Sequence, residues 1–200
     1  MSPRRAAALR DGDDRTLREH LITTAERMIS EGGTAGLTVR GIAREAGVAD
    51  GVLYNHFADK EELLALAFRA HVRSVEGALD PLPRAGSGTV AANLRAFVAY
   101  GLALHRAILP AMAGLIGRPE VLARFAAAGE SGEDWRDRLL AYLRAERDLG
   151  RLAPDARVDE AAAMVVGVCH EAVLSLLFSG AEPERDVDGL VAALLDGIGP

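Results

Sequence analysis

The sequence predicts an all-α protein. Aromatic residues make up only 4% of the 200 residues, so leucine, alanine, valine and isoleucine must form the core. Apolar residues recur with the 3.6-residue period of an α-helix along most of the chain. No stretch alternates apolar and polar residues as a half-buried strand does, and the abundance of alanine favours helix over sheet.

Composition also limits the classes of protein to which the chain can belong. The net charge of −6 excludes a surface covered with basic residues but leaves room for a local nucleic-acid site. A single cysteine, Cys169, excludes an intrachain disulfide and indicates a reducing compartment. Residues 1–14 contain no apolar run, so we do not expect them to be a signal peptide. Because His170 and Glu171 interrupt the most apolar stretch, 161–178, we expect no membrane span and a cytoplasmic protein.

The N-terminal segment is expected to be a flexible arm followed by a first helix. In residues 1–14, Arg4, Arg5 and Arg10 precede a short acidic stretch that contains a glycine. The first helix is predicted over 15–30, where apolar residues fall on one side of the helical period. Two glycines then end it.

Two short helices that meet at a glycine form the most informative pattern. Thr38 can cap a helix over Val39–Ala46, and Gly47 supplies the turn that follows. A third helix is predicted over Asp50–His56. Such a pair predicts a helix-turn-helix, whose second helix enters the major groove of DNA.

A capping box begins the fourth helix, and a break follows that helix. Asp59 caps the helix and Glu62 reaches back to the chain before it. The proline- and glycine-rich stretch 80–88 separates this region from the rest. The expected domains are the arm 1–14, the helix-turn-helix domain 15–64, whose fourth helix continues to about 79, and a helical C-terminal domain 85–200.

A bare helix-turn-helix is a weak pattern, but the tail of the recognition helix and the start of the next helix are specific. The informative residues are Leu37-Thr38-Val39, Ile42-Ala43, Ala46-Gly47-Val48, Gly51, Leu53-Tyr54, His56-Phe57 and Lys60-Glu61-Glu62-Leu63-Leu64. In these residues, about a third of the chain resembles the TetR family of bacterial transcriptional regulators.

The resemblance implies a set of contacts to the DNA backbone. Tyr54 and His56 would donate to phosphate oxygens, and Thr38 and Arg40 would touch the backbone from the second helix. Lys60, the only lysine, stands in the first turn of a helix, where its charge opposes the helix dipole unless a phosphate is bound. The alternative for Lys60 is an ordinary solvated lysine.

Base recognition would fall to the residues that begin the recognition helix. Val52 is suited to a thymine methyl group, Asn55 to adenine, and Gly51 to a close approach. Ala49 departs from the family, which usually has a capping serine or threonine there. Asp50, beside it, either takes over the helix cap or accepts a hydrogen bond from a cytosine amino group.

One short recognition helix contacts few base pairs, so we expect two copies on a pseudo-palindromic operator. The last two helices, predicted at 159–179 and 186–197, are expected to form the dimer surface as a four-helix bundle. The first of them is apolar nearly all round. Its apolar stripes contain Val165, Cys169 and Val173 on one side and Met164 and Phe178 on another. The alternative is that both stripes are buried within one chain.

The family resemblance also implies a pocket for a small apolar or amphipathic effector that releases the DNA. Alternatively, His105 is a core histidine whose hydrogen bonds are made within the protein. No metal or cofactor is expected, because the consecutive residues 169–171 diverge by about 100° each along a helix. The candidate ligand-binding residues are Tyr100, His105, Met112, Trp135, His170 and Glu171.

The chain contains no sequence pattern typical of an enzyme. A glycine-rich phosphate loop, a nucleophile elbow and metal-spaced ligands are all missing from the sequence. We therefore expect a non-enzymatic homodimeric repressor that binds operator DNA and responds to a small molecule. The alternative is a helical homodimer that binds a partner or a small molecule without operator DNA.

Overall fold

A computed structural model of the chain describes residues 14–127, 134–179 and 185–199. These residues form helices and no strand, which confirms the all-α prediction. The helices are α1 (Asp14–Gly32), α2 (Val39–Ala46), α3 (Leu53–His56, preceded by a 3₁₀ turn at Asp50–Val52), α4 (Lys60–Gly77), α5 (Val90–Ala113), α6 (Pro119–Ala127), α7 (Trp135–Asp148), α8 (Val158–Ser179) and α9 (Val187–Ile198). Most of the expected arm, with Arg4, Arg5 and Arg10, lies outside the described residues.

The described residues form two compact units, residues 14–76 with 108–127 and residues 77–107 with 134–179 and 185–199. Of the predicted C-terminal domain 85–200, the stretch 108–127 groups with the first unit and the other described residues group with the second. Residues 108–127 join the first unit because they pack on its helices. The Thr34 hydroxyl donates to the Ala111 carbonyl, and the rings of Phe68 and Phe125 lie 5.0 Å apart.

Caps and turns in the first unit form where the sequence predicts them. The Thr38 hydroxyl accepts from the Gly41 N–H at 3.1 Å and caps α2. Gly47 ends α2 with a φ of 72°, the left-handed conformation that glycine adopts without strain. The core beneath these turns is apolar and includes Leu21, Ala25, Ile42, Ala43, Ala46, Leu53, Phe57, Leu64 and Phe68.

The second unit packs α7 and α8 against the first part of α5, with α9 beside α8. Gly101 of α5 lies against Trp135, and a Cβ atom at this glycine would come within 2.2 Å of the indole ring. The Trp135 N–H donates to the Phe97 carbonyl at 3.3 Å. The unit also buries Glu146, which pairs with Arg151 at 3.1 Å.

Among the described helices, α5 alone is long and apolar enough to cross a membrane by length and composition. It contains Arg95 and Arg106, and charged side chains within a bilayer are costly. Leu94, Phe97 and Val98 of the same helix are buried in the second unit. We therefore interpret α5 as a core helix.

Candidate nucleic-acid interface

The recognition element exposes one face and buries the other. Leu53 and Phe57 are buried and anchor α3 to the core of the first unit. Tyr54 and Asn55, between them, are exposed, and the Tyr54 side chain is 63% exposed. The helix therefore presents a phenol and an amide to solvent in a fixed orientation, as a base- and phosphate-contacting helix requires.

The residues that precede α3 lie at the same surface, but Asp50 does not cap the helix. Gly51 is exposed and Val52 half-buried. The 3₁₀ turn has no side-chain cap, because its first flanking residue is Ala49, so the capping interpretation of Asp50 is wrong. The Asp50 carboxylate instead lies 3.5 Å from the guanidinium of Arg40 on α2.

The second helix and the start of the fourth complete this surface. The Arg40 side chain is 89% exposed, and the Thr38 side chain at the α2 cap is also exposed. Lys60 begins α4 with its side chain 63% exposed and its ammonium 3.5 Å from Glu61. His56 is half-buried. The nine sequence-predicted DNA-binding residues are therefore all at least partly accessible in the first unit.

The predicted capping box fixes the turn between α3 and α4. The Glu62 N–H donates to Asp59 at 2.9 Å, and the Glu62 carboxylate accepts from the Ala58 N–H at 2.7 Å. Arg124 of α6 donates to the other oxygen of Asp59. The turn that carries Lys60 is thus hydrogen-bonded from both sides.

Two α1 side chains that sequence reasoning did not single out contact the helix-turn-helix. Arg18 donates to the His56 carbonyl at 3.3 Å, and the His20 ring nitrogen lies 3.3 Å from the Ala46 carbonyl. Each contacted carbonyl ends a helix. These contacts join residues 38 and 26 positions apart, so no local sequence pattern indicates them.

In the second unit, three of the candidate ligand-binding residues form one aromatic cluster. The His105 ring lies 5.1 Å from Trp135 and 4.8 Å from His170, edge to face with both. The His105 Nδ1–H donates to the Gly101 carbonyl at 2.7 Å. Burial lowers the pKa of His105, the hydrogen bond to Gly101 opposes this change, and nearby His170 adds to it. The neutral ring therefore keeps an unprotonated Nε2.

The other three candidates lie apart from this cluster or are engaged elsewhere. Tyr100 is buried, and the guanidinium of Arg138 lies over its ring at 5.4 Å. Glu171 is exposed and accepts from Arg185, which lowers the pKa of its carboxyl group. Met112 packs against the core of the first unit. No group of three or more potential ligands in the described part of the chain could hold a metal ion.

The α8 helix has an apolar face that the described residues leave uncovered. Val165, Cys169 and Val173 of α8 are buried within the second unit. On another side of α8, Met164 is 62% exposed and Phe178 86% exposed. The described part of the chain therefore buries only one of the two predicted stripes.

Part of the chain is similar in sequence to known regulatory proteins. Residues 21–67 match the sequence model described as bacterial regulatory proteins, tetR family. The HTH-type transcriptional regulator BetI of Burkholderia mallei is 34% identical over 82 residues, which cover 41% of this chain and 42% of that relative. The chain thus matches less than half of the relative's length.

Solved structures extend the likeness to the whole fold. A crystal structure of a TetR-family transcriptional regulator from Mesorhizobium loti has a TM-score of 0.66 at 18% identity, covering 95% of this chain and 100% of that one. The flavonoid-responsive regulator FrrA has a TM-score of 0.67 at 24% identity, covering 93% and 98%. At these identities the structures show a common fold alone. The chain is therefore similar to the tetR family of bacterial regulatory proteins in sequence over residues 21–67, and it shares its fold with these regulators over more than nine tenths of its length.

Proposed function

We propose that the protein is a homodimeric transcriptional repressor that binds a pseudo-palindromic DNA operator and is released by a small molecule. The observation that carries the proposal is the exposed face of α3, where Tyr54 and Asn55 face solvent while Leu53 and Phe57 of the same segment are buried. Polar side chains held rigidly at the surface of a short helix are what major-groove recognition requires.

The proposed interface separates backbone contacts from base contacts. Thr38, Arg40, Tyr54, His56 and Lys60 would bind phosphates and set the position of the protein on the duplex. Lys60 and Arg40 each have a weak carboxylate partner at 3.5 Å, a distance at which a phosphate can compete for the cation.

Base contacts would come from the turn and from α3. Asn55 can form two hydrogen bonds with adenine, and Val52 can contact a thymine methyl. Gly51 allows the backbone to approach a base pair. Asp50 is held near Arg40 at 3.5 Å, so a cytosine amino group is its remaining proposed partner on DNA.

Dimerisation would use the exposed stripe of α8 together with α9. Met164, Leu174 and Phe178 are exposed large apolar residues on α8, and their spacing of 10 and 4 residues keeps them on one helical face. Covering this face with the same face of a second chain would form a four-helix bundle with two-fold symmetry. Two recognition helices would then face the two half-sites of an operator.

The effector site is proposed at the aromatic cluster in the second unit. His105, Trp135 and His170 offer ring faces and an imidazole acceptor, with Tyr100 and Glu171 as further polar groups of the same unit. A small apolar or amphipathic molecule suits such a lining. The similar regulator FrrA is named as flavonoid-responsive, which supports an aromatic ligand. Coupling of about 1–3 kcal/mol between ligand and DNA would be enough for a switch.

Selection from a randomised duplex library tests the proposal, with fluorescence anisotropy on the enriched sequence. We expect one inverted-repeat sequence, bound by two chains, and weaker binding as salt rises. A flavonoid added as the probe ligand should quench Trp135, the only tryptophan, and lower DNA affinity. Enrichment of no sequence, with a dimer still present, would instead favour a helical binding protein without an operator.

We also propose that the protein is neither an enzyme nor a membrane protein. The relatives it matches are named as transcriptional regulators, and we propose that this chain has no catalytic activity and requires no cofactor. A cytoplasmic location, without membrane association, agrees with DNA as the partner.

Dimer formation can be tested by sedimentation of a Phe178→Asp variant, which should be monomeric at concentrations where the wild type is dimeric.

A further inference from the structure

The guanidinium group of Arg18 on α1 contacts both the end of the recognition helix and the start of α4. Its Nε donates to the carbonyl oxygen of His56, the last residue of α3, at 3.3 Å. Its Nη2 donates to Glu62 of α4 at 2.8 Å. The guanidinium carbon lies 5.0 Å from the centre of the Phe57 ring. One side chain thus joins three helices of the first unit.

The carboxylate that holds Arg18 also fixes the turn between α3 and α4. One Glu62 oxygen binds Arg18, while the other accepts from the Ala58 N–H at 2.7 Å. The end of α3, the turn and the start of α4 are therefore connected by hydrogen bonds that converge on the Arg18–Glu62 pair.

The recognition helix needs such external support because it is short. As an α-helix it has only four residues, Leu53–His56, and neither Val52 nor the preceding Ala49 supplies a side-chain cap. A helix of this length is unstable by itself. Burial of Leu53 and Phe57 fixes one side of it, and a cation at its C-terminal carbonyl is favourable for the helix dipole.

We propose that Arg18 is a positioning residue for DNA recognition, which sets the orientation of α3 without contacting DNA. This inference rests on the proposed function as a DNA-binding protein. The charge of Arg18 is already neutralised by Glu62 at 2.8 Å, and its donors point to His56 and Glu62. Its removal should therefore loosen the helix that carries Tyr54 and Asn55 rather than remove a phosphate contact.

The test compares Arg18→Ala and Arg18→Lys with a matched control, Arg27→Ala. Arg27 is also on α1 and also pairs with carboxylates, those of Glu31 and Glu45, but it contacts no backbone of α3. On the duplex enriched by the wild type, we expect about a tenfold loss of affinity for Arg18→Ala and less than about twofold for Arg27→Ala. Arg18→Lys should restore part of the loss.

Two readouts separate positioning from the other roles. The slope of log affinity against log salt should equal that of the wild type, because a lost phosphate contact would change it by about 0.9. Amide exchange at Phe57, whose N–H donates to the Leu53 carbonyl at 3.0 Å, should be faster in Arg18→Ala, while exchange in the middle of α1 stays unchanged.

Three results would overturn the proposal. Wild-type affinity in Arg18→Ala would show that α3 needs no such support, and a slope smaller by about 0.9 would make Arg18 a phosphate ligand. If amide exchange at Phe57 in Arg18→Ala equals that of the wild type, Arg18 does not stabilise the end of α3, even if the variant binds DNA more weakly. If the wild-type protein enriches no duplex, the proposed DNA-binding function is itself wrong. If the wild type enriches a duplex but Arg18→Ala binds it with wild-type affinity, only the role of Arg18 is wrong.

Discussion

The two units of the molecule differ in where their candidate binding residues lie. In the first unit the candidate residues Tyr54, Asn55 and Lys60 are exposed to solvent, although the unit also buries Thr24, Thr34 and His71. In the second unit the candidate residues His105, Trp135 and Tyr100 are buried. A surface for a large charged partner needs accessible groups, whereas a site for a small molecule needs groups removed from water.

This difference decides how each unit responds to substitution. Exposed residues of the first unit can change with little loss of stability, since surface substitutions cost about 0.5 kcal/mol or less. Buried polar residues of the second unit have partners that lose their hydrogen bonds when one member is removed. Function should therefore separate from stability in the first unit and be tied to it in the second.

The largest expected difference between the units is in the chemical reactivity of the only lysine, in the first unit, and the only cysteine, in the second. Burial raises the pKa of the Cys169 thiol to about 12 from a usual value of 9.0, which reduces the thiolate at neutral pH by about a thousandfold. We expect iodoacetamide to leave native Cys169 unmodified while an acylating reagent modifies exposed Lys60, as measured by peptide mass spectrometry. Rapid alkylation of Cys169 in the native protein would contradict its burial.

Gly101→Ala should destabilise the second unit by about 3 kcal/mol. The new Cβ would lie 2.2 Å from the buried Trp135 ring, so the indole must move. Urea unfolding measures the loss, and Trp135 fluorescence reports the displacement. Gly77→Ala is the control, since nothing lies within 4 Å of a Cβ there. Equal stability of the two variants would show that the packing of α5 on Trp135 is wrong.

Glu146→Gln should cost about 2 kcal/mol in urea unfolding, because Arg151 loses its charged partner and glutamine keeps one acceptor oxygen where the carboxylate has two. The Glu146 carboxylate accepts from the Gly86 N–H at 3.2 Å and pairs with Arg151 at 3.1 Å. The matched change in the first unit, Glu45→Gln, removes an exposed partner of Arg27 and should cost about 0.5 kcal/mol or less. A larger loss of stability in Glu45→Gln than in Glu146→Gln would contradict this difference between the units.

A smaller effect is expected from pH. Because burial lowers the pKa of His105 in the folded protein, the unfolded chain binds a proton at a higher pH than the folded chain does. Stability is therefore lost as pH falls below about 6.5, the usual histidine value. His105→Gln should lose less stability than the wild type between pH 7.5 and 5.5 in urea unfolding. If the free energy of unfolding falls equally with pH in His105→Gln and in the wild type, His105 is not shielded from solvent.

The sequence was most informative where the chemistry is local. Thr38, Gly47 and Asp59 act on residues within four positions of themselves, so the cap of α2, its turn and the capping box were all predicted. The fold class followed from the helical period of apolar residues for the same reason.

Features that depend on distant packing were not predictable. The attachment of residues 108–127 to the first unit rests on contacts such as that of Thr34 with Ala111, which are 77 positions apart. The Asp50–Arg40 pair and the Arg18 contacts likewise arise only when helices meet. For the second unit, composition indicated polar candidates but not that His105, Trp135 and His170 would form one cluster.

The most direct test of DNA recognition by α3 compares Asn55→Ala with Lys60→Ala on the enriched duplex and on duplexes with single base-pair changes. We expect Lys60→Ala to weaken binding to all sequences alike and to reduce the salt slope by about 0.9. Asn55→Ala should keep the slope and lose discrimination at one base pair in each half-site, a cost of about 1–3 kcal/mol. Unchanged base preference in Asn55→Ala would contradict the assignment of α3 as the helix that contacts bases.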